Sequence, residues 1–332
     1  MLVLGIESSC DETSVAIVEN GHKIISELTH SQIATHQVYG GVVPEIAARE
    51  HVLHIDHLIW SCLKNANLNW SDINRIAVVN GPGLVSSLLV GINAAKTLSW
   101  ALNIELVSIN HLKAHICANN LNKNPKDFLQ ESFICLLASG GHTQILQINN
   151  YQDIKILGQT IDDSAGEAFD KVARMLNLPY PGGPHIETLA KTGNKTIFKL
   201  PRAKVGEFDF SFSGLKTAVL RLIEKTGLEN LNKADLAASF QEAVCHELAD
   251  KLIKASLKNN CFDIVIAGGV SANQRLRELI SEKANELNIG QKINIKAPFL
   301  NYCTDNGAMV AAAGYLCPES FGLDFGVYSR AK

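Results

Sequence analysis

Val3-Leu4-Gly5-Ile6-Glu7-Ser8-Ser9-Cys10-Asp11-Glu12-Thr13-Ser14-Val15-Ala16-Ile17-Val18 is the stretch that decides the fold. Val3 to Ile6 reads as a buried strand, Ser8 to Thr13 as a polar tip, and Ser14 to Val18 as the return strand, because short apolar runs flank a cluster of turn-forming residues. Glu19-Asn20-Gly21 marks the next turn and Lys23 to Leu28 a third strand. Residues 2–30 therefore predict an antiparallel meander whose first hairpin has an unusually polar tip. After Pro44, apolar residues that include Ile46, Leu53, Ile59 and Leu63 predict a helix to about Asn65. Ile76 to Val79 is a buried strand. Asn80-Gly81-Pro82-Gly83, a long helix through Ala101 and a strand over Val107 to Ile109 follow.

The second half repeats that order. Phe133 to Leu137 is a strand, Ala138-Ser139-Gly140-Gly141-His142 a tip, Thr143 to Ile148 the return strand and Ile154 to Leu157 the third. Helices over Ser164 to Asn177 and Lys233 to Asn259 lead to the strand Ile264 to Ala267, the loop Gly268-Gly269-Val270-Ser271-Ala272-Asn273 and a helix to Leu287. The match is one of element order, not of residues. It predicts the α/β class, as a duplicated actin-like, sugar kinase and Hsp70 (ribonuclease H-like) fold of two domains. In that architecture an interdomain cleft gathers hairpin tips and glycine loops around a nucleotide, whose phosphates take backbone N–H groups and helix N-termini. The expected boundaries are 1–125, carrying a pair of histidines, and 126–332, carrying an insertion around 178–232 and Asp305.

Composition sets the outer limits. The chain has 332 residues, enough for two domains with separate cores, and its 46% hydrophobic and 19% charged residues are those of an ordinary globular protein. A net charge of −3 announces no nucleic acid by itself, so a basic groove is local or supplied by a partner. The N-terminus meets Glu7 with no basic segment before it and reads as a first strand, not a signal peptide. No run of eighteen apolar residues occurs, so no membrane association is expected. The eight cysteines are scattered without a C-x-x-C, which points to reduced thiols and a cytoplasmic setting.

Asn110-His111-Leu112-Lys113-Ala114-His115 is the first candidate for chemistry. On a helix its two imidazoles share one face, with about 6 Å between Cβ atoms, which suits one metal ion. The ordinary structural reading is a pair of hydrogen-bonded histidines. A third ligand comes from Cys303-Thr304-Asp305-Asn306-Gly307: Asp305 either caps the apolar helix that follows or completes a facial set of two imidazoles and a carboxylate. The tip Glu7 to Thr13 offers hydroxyls for phosphate and, in Asp11 or Glu12, a carboxylate for magnesium or proton transfer; as structure it is a polar turn. Ser139-Gly140-Gly141 permits close approach of a ligand to backbone, or is a plain hairpin turn. In Asp162 to Lys171, Asp162 or Asp163 can cap a helix and Glu167 and Asp170 lie within it. There a carboxylate can take ribose hydroxyls or simply face solvent. His51, His54 and His57 fall three apart, a spacing that rotates away from a common face, and read as surface or partner-facing residues.

Taken in order, ten segments resemble the TsaD family of tRNA N6-adenosine threonylcarbamoyltransferases, formerly named glycoproteases, in its bacterial form. They are Gly5 to Thr13, Tyr39 to Glu45, Asn80 to Leu84, His111 with His115, Ser139 to Gln144, Gly166 to Lys171, Tyr180 to Pro184, Phe210 to Thr217, Gly268 to Asn273 and Cys303 to Asn306. The resemblance implies transfer of a threonylcarbamoyl group from threonylcarbamoyl-AMP to N6 of the adenosine beside the anticodon, in tRNAs that read codons beginning with A. It further implies His111, His115 and Asp305 as ligands of one iron ion, with zinc an alternative, and Mg2+ accompanying nucleotide. Leu137, Ala138, Ser139, Gly140, Gly141, Asp170, Gly183, Glu187 and Asn273 would hold the adenylate. The partners implied are tRNA and the subunits TsaB and TsaE.

Three positions depart from the family. Glu187 stands where relatives usually carry Asp, Glu105 where the older pattern has Pro, and Leu137 where archaeal and eukaryotic relatives place a tyrosine ligand. Other readings fare worse on chemistry. His111-Leu112-Lys113-Ala114-His115 has Leu where an H-E-x-x-H protease needs its general base. An ATP-dependent small-molecule kinase on the same fold would not need the triad, and a non-catalytic scaffold of a tRNA-modification complex would be expected to lose it.

Overall fold

The computed structural model describes residues 1–129, 132–287 and 292–330. Its contacts divide the chain into two units, Met1–Leu129 with Pro298–Lys332, and Gln130–Ala297.

In the first unit β1 (Leu2–Glu7), β2 (Glu12–Glu19) and β3 (Lys23–Ser31) form the meander, followed by α1 (Ile33–Gln37), α2 (Pro44–Asn65), β4 (Arg75–Gly81), α3 (Val85–Leu102), β5 (Glu105–Asn110) and α4 (His111–Cys117). β1 pairs antiparallel with β2 and parallel with β4, and β4 parallel with β5. Strands buried on both faces need continuous apolar sequence, and Val3 to Glu7 and Ile76 to Gly81 are buried without interruption. Pro44 is the first residue of α2, where its missing N–H is no loss. Ile55, Ile59 and Leu63 of α2, Ile92 and Ala95 of α3, and Leu4, Ile6, Val15 and Ile17 share one core.

The second unit runs β6 (Phe133–Ala138), β7 (Thr143–Asn150), β8 (Asp153–Gln159), α5 (Ala165–Met175), α6 (Gly182–Ala190), α7 (Ser213–Thr226), α8 (Lys233–Lys258), β9 (Asp263–Ala267), α9 (Gln274–Glu286) and β10 (Asn294–Lys296). Its sheet order β10-β9-β6-β7-β8 reproduces β5-β4-β1-β2-β3 of the first sheet, with the same parallel and antiparallel pairings. The duplication expected from element order is thus present strand for strand. Segment 178–232 contributes α6, α7 and the buried Ile186, Phe208, Phe210, Phe212, Leu215 and Val219 to this unit's core.

Two elements remain, α10 (Gly307–Leu316) and β11 (Ser320–Phe321), and they differ from the sequence expectation. Sequence order assigns residues 126–332 to the second domain, but α10 lies on the first sheet. A Cβ on Gly5 would stand 2.3 Å from the Gly307 carbonyl oxygen, and one on Gly314 2.5 Å from Ala77 Cβ, so the glycines let helix and strands touch at the backbone. β11 then pairs antiparallel with β5. This return brings Asp305 into the unit of the histidines. Of the described helices α3 alone has the length and apolar character to cross a membrane. Its Leu88, Ile92 and Ala95 are buried, and it packs on α2 and β4.

Candidate metal centre and glycine cradle

α4 opens where β5 ends. The Asn110 side chain accepts hydrogen bonds from the Leu112 and Lys113 amides and so caps the helix, which sets His111 in the first turn and His115 one turn on. Their rings stand edge to face, 4.7 Å between centroids. Asp305 reaches them because Asn306, not Asp305, caps α10 by accepting from the Met309 amide. Asp305 Oδ1 lies 3.1 Å from His115 Nε2 and 3.5 Å from His111 Nε2. Donors about 2.1 Å from one ion stand about 3.0 Å apart in cis octahedral positions and about 3.4 Å apart in a tetrahedron, so these edges fit a shared ion. A second observation agrees. His115 is 1% exposed, yet neither of its ring nitrogens has a hydrogen-bond partner, the approach to Asp305 lacking hydrogen-bond alignment. A buried ring nitrogen without a hydrogen bond is costly, and a metal ion on Nε2 would remove that cost at one of the two.

The far side of His111 is held by the hairpin tip. Its Nδ1 lies 3.3 Å from Glu7 Oε2 and 3.1 Å from Ser9 Oγ, and the fully buried Glu7 also accepts from the Ser9 amide at 2.6 Å. A carboxylate on Nδ1–H fixes the tautomer that presents Nε2 to a metal. Burial disfavours a charged His111, but Asp305 and then Glu7 outweigh it and push the ring up to about 9 in the metal-free protein. Glu7 and Ser9 lay within the tip singled out from sequence but were not assigned to the metal. Only the pairing across the sheet reveals them.

Asp11 and Glu12 close the same tip. Glu12 Oε1 accepts from Ser31 Oγ at 2.9 Å, while buried Oε2 has no partner. Burial pushes Glu12 up to about 8 against that hydrogen bond, with Asp11, Asp305 and Glu7 adding to the rise. Desolvation, then Asp11 and Asp305, likewise raise the Cys10 thiol. His51 is no surface residue, contrary to the sequence reading. It is buried, 2.7 Å from Thr13 Oγ1 and 3.0 Å from the Cys10 carbonyl oxygen.

In the second unit Leu137 and Ala138 end β6, both buried, and Ser139, Gly140 and Gly141 form the tip. The tip is fastened from beneath by Ser164 Oγ donating to the Gly140 carbonyl and the Gly166 amide to the Ser139 carbonyl. Ser164 also caps α5. Asp162 instead accepts from the Phe212 amide and Asp163 pairs with Lys171 and Lys216, so neither takes the capping role foreseen. A Cβ on Gly140, Gly141, Gly183 or Gly269 would meet nothing within 4 Å, the opposite of Gly5. These glycines line open space. Gly268, at φ +84°, lets the next loop pass the Ala138 carbonyl.

The three polar candidates are partly committed to the scaffold. Asp170 Oδ1 accepts from the Gly182 amide at 2.7 Å, Glu187 Oε1 from the Gln274 amide at 2.8 Å, and Asn273 caps α9 through the Leu276 amide while donating to Gln241. They hold the N-termini of α6 and α9 in place.

A duplicated actin-like α/β fold with a buried His-His-Asp centre defines the class. HypF from T. kodakarensis shares the fold, with a TM-score of 0.61, 16% identity, and 95% of this chain and 47% of that chain covered. The family model of TsaD, tRNA N6-adenosine threonylcarbamoyltransferase, matches residues 23–312, and the chain belongs to that family. The tRNA N6-adenosine threonylcarbamoyltransferase of Dictyoglomus turgidum is 50% identical over 319 residues, covering 95% of this chain and 93% of that protein. That of Caldicellulosiruptor bescii is 47% identical over 336 residues, covering 100% and 96%.

Proposed function

We propose that the protein transfers the threonylcarbamoyl group of threonylcarbamoyl-AMP to N6 of the adenosine beside the anticodon, in tRNAs reading codons that begin with A. The observation that carries the chemistry is the His111-His115-Asp305 set, in which the ring nitrogens of the buried His115 make no hydrogen bond. A bond forms between N6 and the carbamoyl carbon, the bond from that carbon to the phosphate oxygen breaks, and AMP leaves with its electron pair. Adenine N6 is a weak nucleophile but the mixed anhydride is a good acyl donor, so positioning dominates.

Amides at Ser139 to Gly141 receive the adenylate phosphate, with Leu137 and Ala138 forming the floor. Asp170 and Glu187 set the helix N-termini over the ribose side, Gly183 leaves room, and Asn273 fixes the loop. His111, His115 and Asp305 would hold the metal, iron or zinc, which when bound would supply Lewis acidity toward a carbonyl or phosphoryl oxygen. Asp11 and Glu12 serve the proton lost by N6 or hold Mg2+ with nucleotide. Glu12, raised to about 8, is matched to a general base near neutral pH.

The paralogous subunit TsaB docks on α2 and α3, where Val52, Leu53, Trp60 and Leu89 are exposed beside an apolar groove. TsaE joins that complex, and the setting is the cytoplasm. The test is transfer of radiolabelled threonine to unmodified tRNA with a threonylcarbamoyl-AMP source, TsaB, TsaE and ATP. Label with the wild type, lost in Asp305→Ala, is expected. Retention in that variant reduces the triad to a structural role, and no label at all with active partners returns the kinase or scaffold reading.

A further inference from the structure

We propose that His30, Glu50 and His54 form a second binding site, within the first unit, for one zinc-class divalent cation. His30 stands near the end of β3, and Glu50 and His54 one turn apart on α2. Nε2 of His30 lies 3.4 Å and Nε2 of His54 3.3 Å from the same atom, Glu50 Oε2. All three donors fall within 4.8 Å of one another. Ligands of tetrahedral zinc at about 2.0–2.1 Å are about 3.4 Å apart, so both measured edges already have coordination length. Two imidazoles and a carboxylate form a donor set that favours zinc, cobalt or nickel over magnesium and calcium.

The rings are stacked, with centroids 3.6 Å apart and planes at 25°, so their lone pairs run side by side. Binding therefore includes rotation of one ring about χ2, a soft torsion for histidine. The side chains of His30, His54 and Glu50 are 34%, 35% and 23% exposed, which leaves the ion a path in and a position for water. The site shares no ligand with the His111-His115-Asp305 centre. His51, next to Glu50 in sequence, grips the Cys10 to Thr13 tip, and β3 pairs with the strand that leaves this tip. A cation bridging β3 to α2 braces the layer that carries Asp11 and Glu12.

The experiment titrates the metal-stripped full chain with Co2+ at micromolar concentration, reads its visible absorption, and then displaces it with Zn2+. Wild type takes up two equivalents. His30→Ala/His54→Ala takes up one, with affinity for the other at least 100-fold weaker, and Glu50→Gln, which keeps the side-chain shape, loses the same equivalent should the double variant fail to fold. Asp305→Ala loses the other one, and His57→Ala, on the same helix but outside the set, keeps both. Uptake of two equivalents by both His30→Ala/His54→Ala and Glu50→Gln overturns the proposal. So does a wild type whose only equivalent disappears with Asp305→Ala, which leaves the cluster as a histidine–carboxylate contact only.

Discussion

The β1–β2 and β6–β7 hairpins hold the same place in their sheets, yet their tips are built for opposite tasks. Glu7 to Glu12 packs side chains inward: a buried carboxylate on His111, a second with an unpartnered oxygen, a thiol raised by its surroundings. Ser139 to Gly141 removes side chains and leaves backbone facing open space. One duplicated scaffold thus offers charge at the tip of one unit and bare amides at the tip of the other. The tip sequence alone changes.

The strongest way to break this contrast is His115→Ala. It should abolish metal uptake at the triad and lower transfer by about 1,000-fold or more, checked by metal analysis and labelled-threonine transfer, while leaving AMP binding within about twofold. AMP binding lost with the metal would mean that the two tips do not act separately.

Glycine exchange sharpens it further. Gly5→Ala forces a methyl against the Gly307 carbonyl and should destabilise by about 2–4 kcal/mol in denaturant unfolding. Gly141→Ala meets nothing and should stay within about 0.5 kcal/mol, while weakening AMP binding about tenfold. Equal stability losses would refute the distinction between a packed and an open glycine.

Glu7 tests how far the first tip serves the metal. Glu7→Ala should weaken metal binding about 10–100-fold by releasing His111 Nδ1, with Glu7→Gln intermediate. Unchanged affinity in both would make Glu7 a matter of packing only.

The smallest effect expected is a pH trend peculiar to the first unit. Glu12 and His111 both have folded values above their ordinary ones, at about 8 and about 9. The stability each contributes is full below its unfolded value, near 4.5 and 6.5, and is lost as pH rises through the folded value. The melting temperature of chelated protein should therefore fall between pH 6 and 9, and less so in Glu12→Gln. Metal affinity should rise over the same range as His111 sheds its proton. A flat profile would remove both groups from the account.

Much of this was legible in sequence because its signals are local. Apolar runs bounded by glycine and polar tips located the strands, and the proline at 44 located the start of α2 to the residue. The second half declared itself through the same order. What sequence hid is non-local. Nothing around residue 305 says that α10 returns to β1, since the contact is a meeting of Gly5 and Gly307, and glycine has no pattern to read. The partners of His30 and Glu7 likewise depend on sheet register. His51, His54 and His57 all read from the sequence as surface or partner-facing residues, whereas the fold buries the first, pairs the second across to β3, and leaves the third beside Ser61.

The return of α10 also has a temporal side. His115 is synthesised roughly 190 residues before Asp305, and the whole second unit lies between them, so the closing contact joins distant parts of the chain. A nascent chain on the ribosome holds two of the three candidate ligands until Asp305 emerges. Capture of a metal by all three side chains would therefore follow synthesis of the second unit, and a chain interrupted before Asp305 lacks the third candidate ligand.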